Sequence, residues 1–213
     1  MDTSLAPWRS PLSRALHRNR SLAYSRYLQL ATVDQAGHPA NRTVVFRGFR
    51  EGSNQLKFIT DWRSQKIEQL AQQPWAEACW YFPKTREQFR LAGRITCVEA
   101  ATTTPELQAV RRQQWQQLSA NARSQFFWPP PGLPRNPGTQ PTEVALVPDR
   151  ELEPTGSPQV VEPSDPAVPP PTYSLLLLEP SKVDHLELRG TPQNRQQYHL
   201  ETDGTWQKAE LNP

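Results

Sequence analysis

Apolar positions along the chain repeat with two periods, and each change of period marks an element. Residues 10–25 are predicted as a helix: Ser10 caps it, Pro11 suits its first turn, and Leu12, Ala15, Leu16, Leu22 and Ala23 supply apolar positions. Tyr27 to Val33 reads as a strand turned by Asp34-Gln35-Ala36-Gly37, followed by strands at 41–49 and 56–60 around the turn Glu51-Gly52-Ser53-Asn54. Ser64 to Gln72 returns to helical spacing, with Ile67, Leu70 and Ala71 on one face and Pro74 as the stop. Two long strands, 76–82 and 86–99, flank Pro83-Lys84-Thr85. A further helix starts at Thr104-Pro105-Glu106 and runs to about Leu118.

The pattern then lapses. Between Pro129 and Pro171 lie 14 of the 23 prolines and almost no periodic apolar positions, which predicts a surface excursion, mobile over 148–171. Tyr173 to Glu179 is a Leu-rich strand expected to be buried on both faces. Strands at 183–188, 197–201 and 205–211 follow, the last two joined by a turn at Asp203-Gly204. Many antiparallel strands with a few interposed helices predict a mainly β, α+β fold: a barrel with peripheral helices, forming one domain over 1–213. No internal repeat is visible.

Composition adds constraints. Hydrophobic residues make up 36% of the chain and mean hydropathy is −0.74, a thin core for a monomer and a reason to expect an oligomer interface. The charge of +3 is spread in ones and twos and forms no basic stripe, which disfavours a nucleic-acid binder. Cys79 and Cys97 sit in strand-like runs and read as buried, inert thiols, forming neither a disulfide framework nor a metal site. The N-terminus carries Arg9, Arg14, Arg18 and Arg20 without an apolar stretch, so neither a signal peptide nor a membrane span is expected, and cytoplasmic residence follows by default.

Three basic-polar clusters remain. In Thr60-Asp61-Trp62-Arg63-Ser64-Gln65-Lys66, Arg63 and Lys66 occupy a predicted first helical turn, where the macrodipole opposes cations. A bound phosphate would remove that conflict, with Ser64 adding a hydroxyl; a solvated helix start is the plainer alternative. Arg42 and Arg47 bracket Thr43, Val44, Val45 and Phe46, a strand whose edge would suit a flat aromatic ligand but which is equally a strand with flanking charges. Arg86, Gln88 and Arg90 line one face of a strand start, and Gln88 offers both donor and acceptor. The histidines at 17, 38, 185 and 199 have no metal-ligand spacing, no Gly-rich phosphate loop is present, and Trp75 and Trp80 read as core or interface.

Taken together and in order, these clusters resemble the pyridoxamine 5′-phosphate oxidase superfamily of FMN-binding split β-barrels. The resemblance covers residues 20–100 well and 173–213 more weakly. It implies an antiparallel split β-barrel, and FMN held by Arg42, Thr43, Val44, Val45, Phe46 and Arg47 of one motif. It adds Ile59, Thr60, Arg63, Ser64 and Lys66 of a second and Gln88 of a third, with Arg195 of Asn194-Arg195-Gln196-Gln197-Tyr198 beside the flavin. It also implies a homodimer with FMN at the subunit interface and a small-molecule substrate. Where pyridoxamine-phosphate oxidases carry an Arg-x-His pair, this chain has Thr191 and Gln193; Ala120 stands for a substrate arginine and Leu186 for a tryptophan. The resemblance therefore implies an FMN-dependent oxidoreductase of unidentified substrate. A non-catalytic flavin-binding module and pyridoxamine-phosphate oxidase itself stay open.

Overall fold

The computed structural model describes residues 5–134 and 167–213. It contains eight antiparallel strands: β1 (Tyr27–Val33), β2 (Pro39–Val45), β3 (Leu56–Asp61), β4 (Trp75–Phe82), β5 (Glu87–Val98), β6 (Tyr173–Glu187), β7 (Asn194–Leu200) and β8 (Trp206–Leu211). They form one sheet in the order β2-β1-β4-β5-β6-β7-β8, with β3 paired to the first half of β6. The sheet curls without closing into a continuous ladder. Helices α1 (Arg9–Asn19), α2 (Gln65–Gln72), α3 (Pro105–Gln116) and α4 (Ala120–Ser124) lie around it. No helix among the described residues is long and apolar enough to cross a membrane.

Alternation along the strands builds the interior. Leu28 and Leu30 of β1, Ala78, Trp80 and Phe82 of β4, Phe89 and Leu91 of β5, and Leu176 and Leu178 of β6 meet in one apolar cluster. Helix α1 adds Leu12 and α2 adds Ile67 and Leu70. The other face of β6 is also covered: Leu175 and Leu177 pack with Val98, Leu107 and Val110, which accounts for the uninterrupted leucine run. Trp80 is core, whereas Trp75 is exposed.

Several boundaries differ from the sequence expectation. The predicted strands 173–179 and 183–188 are one strand carrying a bulge. Gly93 pairs Pro180 and Ala92 pairs Lys182, so Ser181 is extra. Before the bulge the even residues Leu176 and Leu178 face the interior; after it Val183 does, so Asp184 turns outward. Helix α1 ends at Asn19 and not at 25, because Asn19 turns its side chain onto the Ala15 carbonyl. Strand β2 runs 39–45 and not 41–49, since Gly48 adopts φ +98° and breaks the extended run. Arg86 lies outside β5 in a left-handed turn, φ +57°, so it does not share a strand face with Gln88 and Arg90. Helix α4 and the 3-10 turn Gln125–Phe127 lie where no helix was predicted. Most of the expected mobile stretch 148–171 falls outside the described residues.

Candidate functional site

Strand β2 ends the sheet order, so one of its edges is unpaired by the ladder. The Phe46 N–H donates to the Arg26 carbonyl, 2.8 Å. Antiparallel alternation then directs the backbone groups of Val44 and Arg42 toward β1, and those of Thr43 and Val45 toward the open edge. A cavity of about 400 Å³ lies along that edge, within the range of small-molecule sites. It is lined by Arg42 to Val45, Arg47, Ile59 to Asp61 and Lys66, and by Gln125, Phe126, Trp128, Pro129 and Pro131. Arg42, within the strand, and Arg47, two residues past its end, both line it.

The cations meet with little compensation. Lys66 Nζ donates to Thr60 Oγ1 at 2.8 Å and Ser64 Oγ at 3.1 Å. Burial, and then the neighbouring Arg42, lower its pKa to about 8. Arg42 donates to the Leu30 carbonyl, Thr32 Oγ1 and Gln69 Oε1, which fix its guanidinium between β1 and α2. Arg47 Nε is buried without a hydrogen-bond partner. The carboxylate at the cavity, Asp61, is already taken. Arg63 Nε and Nη2 grip its two oxygens at 2.9 and 2.7 Å, and the Arg63 N–H adds a third bond. Three cations face a space whose acid is neutralised elsewhere, an arrangement that fits a doubly charged phosphate.

The expected residues divide into three groups. Arg42, Thr43, Val44, Val45, Arg47, Ile59, Thr60 and Lys66 line the cavity, and Ser64 lies one hydrogen bond behind Lys66. Phe46 packs into the core, and Arg63 precedes the helix that it was expected to enter. Arg63 Nη2 also donates to the carbonyl of Trp128, a lining residue, at 2.9 Å. Gln88 and Arg195 do not line this cavity. They sit on the outer sheet face in the row Tyr81–Gln88–Leu186–Arg195, beside the row Thr43–Gln29–Cys79–Arg90–Asp184–Gln197. Strands β2 and β7 are five steps apart in the sheet order. Along β6, the strand that both β3 and β7 pair, the cavity residue Thr60 stands opposite Ser174 and Arg195 opposite Leu186, at the two ends of the strand.

Two features were missed by reading the sequence. Asp184, buried at 4% exposure, accepts from Arg195 at 2.8 Å, Arg90 at 3.1 Å and Gln197 at 3.2 Å. His185 stacks on Phe89 and meets Glu87 Oε2 at 2.8 Å, with Glu187 4.0 Å away. Burial pushes the Glu87 carboxyl up, but hydrogen bonds from His185 and Thr85 outweigh it and leave its pKa below the ordinary value. No spacing signal links residues 98 positions apart; only the β5–β6 register does.

Residues 5–99 match the family model described as pyridoxamine 5′-phosphate oxidase, FMN-binding domain. A solved pyridoxamine 5′-phosphate oxidase-related, FMN binding protein from Nostoc punctiforme is 52% identical, with a TM-score of 0.84 over 99% of this chain and 100% of that one. The chain belongs to this FMN-binding family. FMN is accordingly its cofactor. The Arabidopsis thaliana protein named pyridoxine/pyridoxamine 5′-phosphate oxidase 2 is 41% identical across 89% of this chain and 87% of its own length. PhzG from Burkholderia lata, 17% identical with a TM-score of 0.66, shares the fold. An antiparallel split β-barrel of the pyridoxamine 5′-phosphate oxidase type is therefore the architecture of this chain.

Proposed function

We propose that the chain is an FMN-dependent oxidoreductase acting on a small molecule as a homodimer, each site completed by a second copy. The observation that carries this reading is the convergence of Arg42, Arg47 and Lys66 on an open strand edge whose carboxylate, Asp61, is engaged by Arg63. Lys66, Arg42, Thr60 and Ser64 would hold the phosphate, and the outward backbone groups of Thr43 and Val45 would orient the polar edge of the ring system. Ile59 and the wall formed by Gln125, Phe126, Trp128, Pro129 and Pro131 would border the bound cofactor. The bound flavin supplies hydride transfer; the protein supplies position and charge.

Gln88 and Arg195 enter from the second copy. Both lie on the outer sheet face, outside the lining of their own cavity, and a face-to-face pairing brings them over the partner's cofactor. Asp184 keeps the Arg195 guanidinium aimed along that face. No side-chain acid or base is assigned.

The absorption spectrum of the purified chain saturated with FMN tests the cofactor site. Lys66→Ala should weaken FMN much more than riboflavin; equal weakening would place the phosphate elsewhere. Stoichiometric reduction by NAD(P)H and reoxidation by oxygen, with turnover, would separate an enzyme from a flavin-storage module. A second reading, oxidation of pyridoxine or pyridoxamine 5′-phosphate, is favoured by the name of the Arabidopsis relative and opposed by the uncharged Thr191 and Gln193. Pyridoxal 5′-phosphate formation from either compound decides it.

A further inference from the structure

Arg42 and Lys66 stand where two cavities meet. The second, about 210 Å³, shares both residues with the first and adds Ser64, Gln65 and Gly132 to its lining. The two cations repel each other, so their spacing depends on what else each is bonded to. Lys66 is held by Thr60 and Ser64 on its own side.

Arg42 is held by a closed triangle of hydrogen bonds. Its Nη1 donates to Thr32 Oγ1 at 2.6 Å and its Nη2 to Gln69 Oε1 at 2.9 Å. Thr32 Oγ1 donates to the same Gln69 oxygen at 2.6 Å. A guanidinium only donates, which orients the Gln69 amide with its oxygen toward Arg42 and commits both lone pairs of that oxygen. Thr32, on β1, is 1% exposed, so the triangle is anchored in the interior. A further Nη1–H reaches the Leu30 carbonyl at 3.1 Å. Nε–H and the second Nη2–H have no hydrogen-bond partner among the described residues.

Gln69 owes its position to α2. It follows Lys66 by three residues, so the two side chains leave one face of the helix, toward Thr60 and toward β1. None of the acceptors around Arg42 carries a charge, whereas Asp61 closes both oxygens onto Arg63. Glutamate at 69 would match the amide in shape and neutralise Arg42 in that same manner. Half-buried and held by neutral groups alone, the Arg42 charge is best met by an anion.

We propose that Gln69 is a positioning residue for the cofactor phosphate, aiming the Arg42 guanidinium at it while leaving that guanidinium's charge uncompensated. Thr32 is its partner in this, tying helix to strand behind the phosphate. This role rests on the reading above, in which Arg42 and Lys66 hold the phosphate. A neutral acceptor at 69 then sets the preference for phosphorylated over unphosphorylated flavin.

Fluorescence titration of the full chain with FMN and with riboflavin, beside melting of the cofactor-free chain, decides it. Gln69→Glu should weaken FMN about tenfold or more and riboflavin less than about twofold, while the melting temperature holds or rises because the carboxylate pairs with Arg42. Gln69→Met, which keeps the length and loses the acceptor, should weaken FMN several-fold and spare riboflavin. Thr32→Val should do the same in part. A preference for FMN over riboflavin that is unchanged in either Gln69 variant overturns the proposal. So does equal weakening of both flavins with a lower melting temperature, the mark of a merely structural residue. Lys66→Ala separates this role from the function proposed above. If it too leaves the preference unchanged, the phosphate lies elsewhere and that reading falls as well; if it alone abolishes the preference, only the role of Gln69 fails.

Discussion

A Cβ added to Gly93 would stand 1.9 Å from the carbonyl oxygen of Glu179. The bulge that turns β6 brings two backbones into contact with no side chain between them, and both are held by pairing with their neighbours. Gly93→Ala is expected to cost roughly 3 kcal/mol or more, because backbone and not a flexible side chain must move. Denaturant unfolding measures this; a loss below about 1 kcal/mol would show that the bulge relaxes freely.

Lys66 links cofactor binding to pH. Its pKa of about 8 in the cofactor-free chain lies below the ordinary 10.5. Between those values the unfolded chain binds more protons, so the stability of the cofactor-free protein should rise with pH from about 8 toward 10.5. Affinity for FMN runs the other way. A phosphate needs the charged ammonium, so affinity should be level below about pH 8 and fall above it, by up to tenfold per unit. Fluorescence titration from pH 6.5 to 9.5 tests the sign, and Lys66→Gln should flatten the curve.

Arg63 is expected to act on the wall of the cavity and not on the phosphate. Its guanidinium joins Asp61 to the Trp128 carbonyl. In Arg63→Ala the segment 125–131 loses that tether and Asp61 is left with a negative charge facing the cavity. FMN and riboflavin should both dissociate several-fold faster, in contrast to Lys66→Ala. Stopped-flow release kinetics distinguish the two; an effect confined to FMN would put Arg63 on the phosphate.

Asp184→Ala should lower stability by roughly 2–3 kcal/mol, since it strands Arg90 and Arg195 beside one another; their partial exposure keeps the loss below that of a fully buried pair. Asp184→Asn should recover part of it by keeping hydrogen-bond acceptance. Burial raises the Asp184 carboxyl, but Arg195 and Arg90 hold it below its ordinary value. Its contribution is therefore present at neutral pH and lost on acidification through the lowered folded value. The gap in unfolding midpoint between wild type and Asp184→Ala should be full at pH 7 and narrow as the pH falls below the ordinary carboxylate value.

Much of the fold was legible because alternation and turn residues are local. The strand cores at 27–33, 56–60 and 76–82 and the helix beginning at Thr104-Pro105 lie where their residues imply. The double burial of Leu175 to Leu178 followed from their lack of alternation. Helix α4 was not legible, because none of its five residues is fully buried and only Ala122 among them packs against a core, beside Phe126 of the following turn. The bulge was hidden because Pro180 reads as the end of a strand, when in fact a second residue on β6 takes up the extra length.

The candidate site divides on the same physical line. Residues close in sequence could be grouped from it: Arg42 to Arg47 and Thr60 to Lys66 meet at one cavity because strand β2 and the β3–α2 turn carry them together. What each cation does was decided only in three dimensions. Asp61 captured Arg63 two residues away, while burial beside Arg42 left Lys66 facing the cavity without a carboxylate. Gln88 and Arg195 were separated from that cavity by sheet order, and Asp184 was given to Arg195 by a one-residue bulge. Charge and periodicity are properties of the chain; whether a charge is spent on a neighbour or left for a ligand depends on pairing register, which no short stretch of sequence contains.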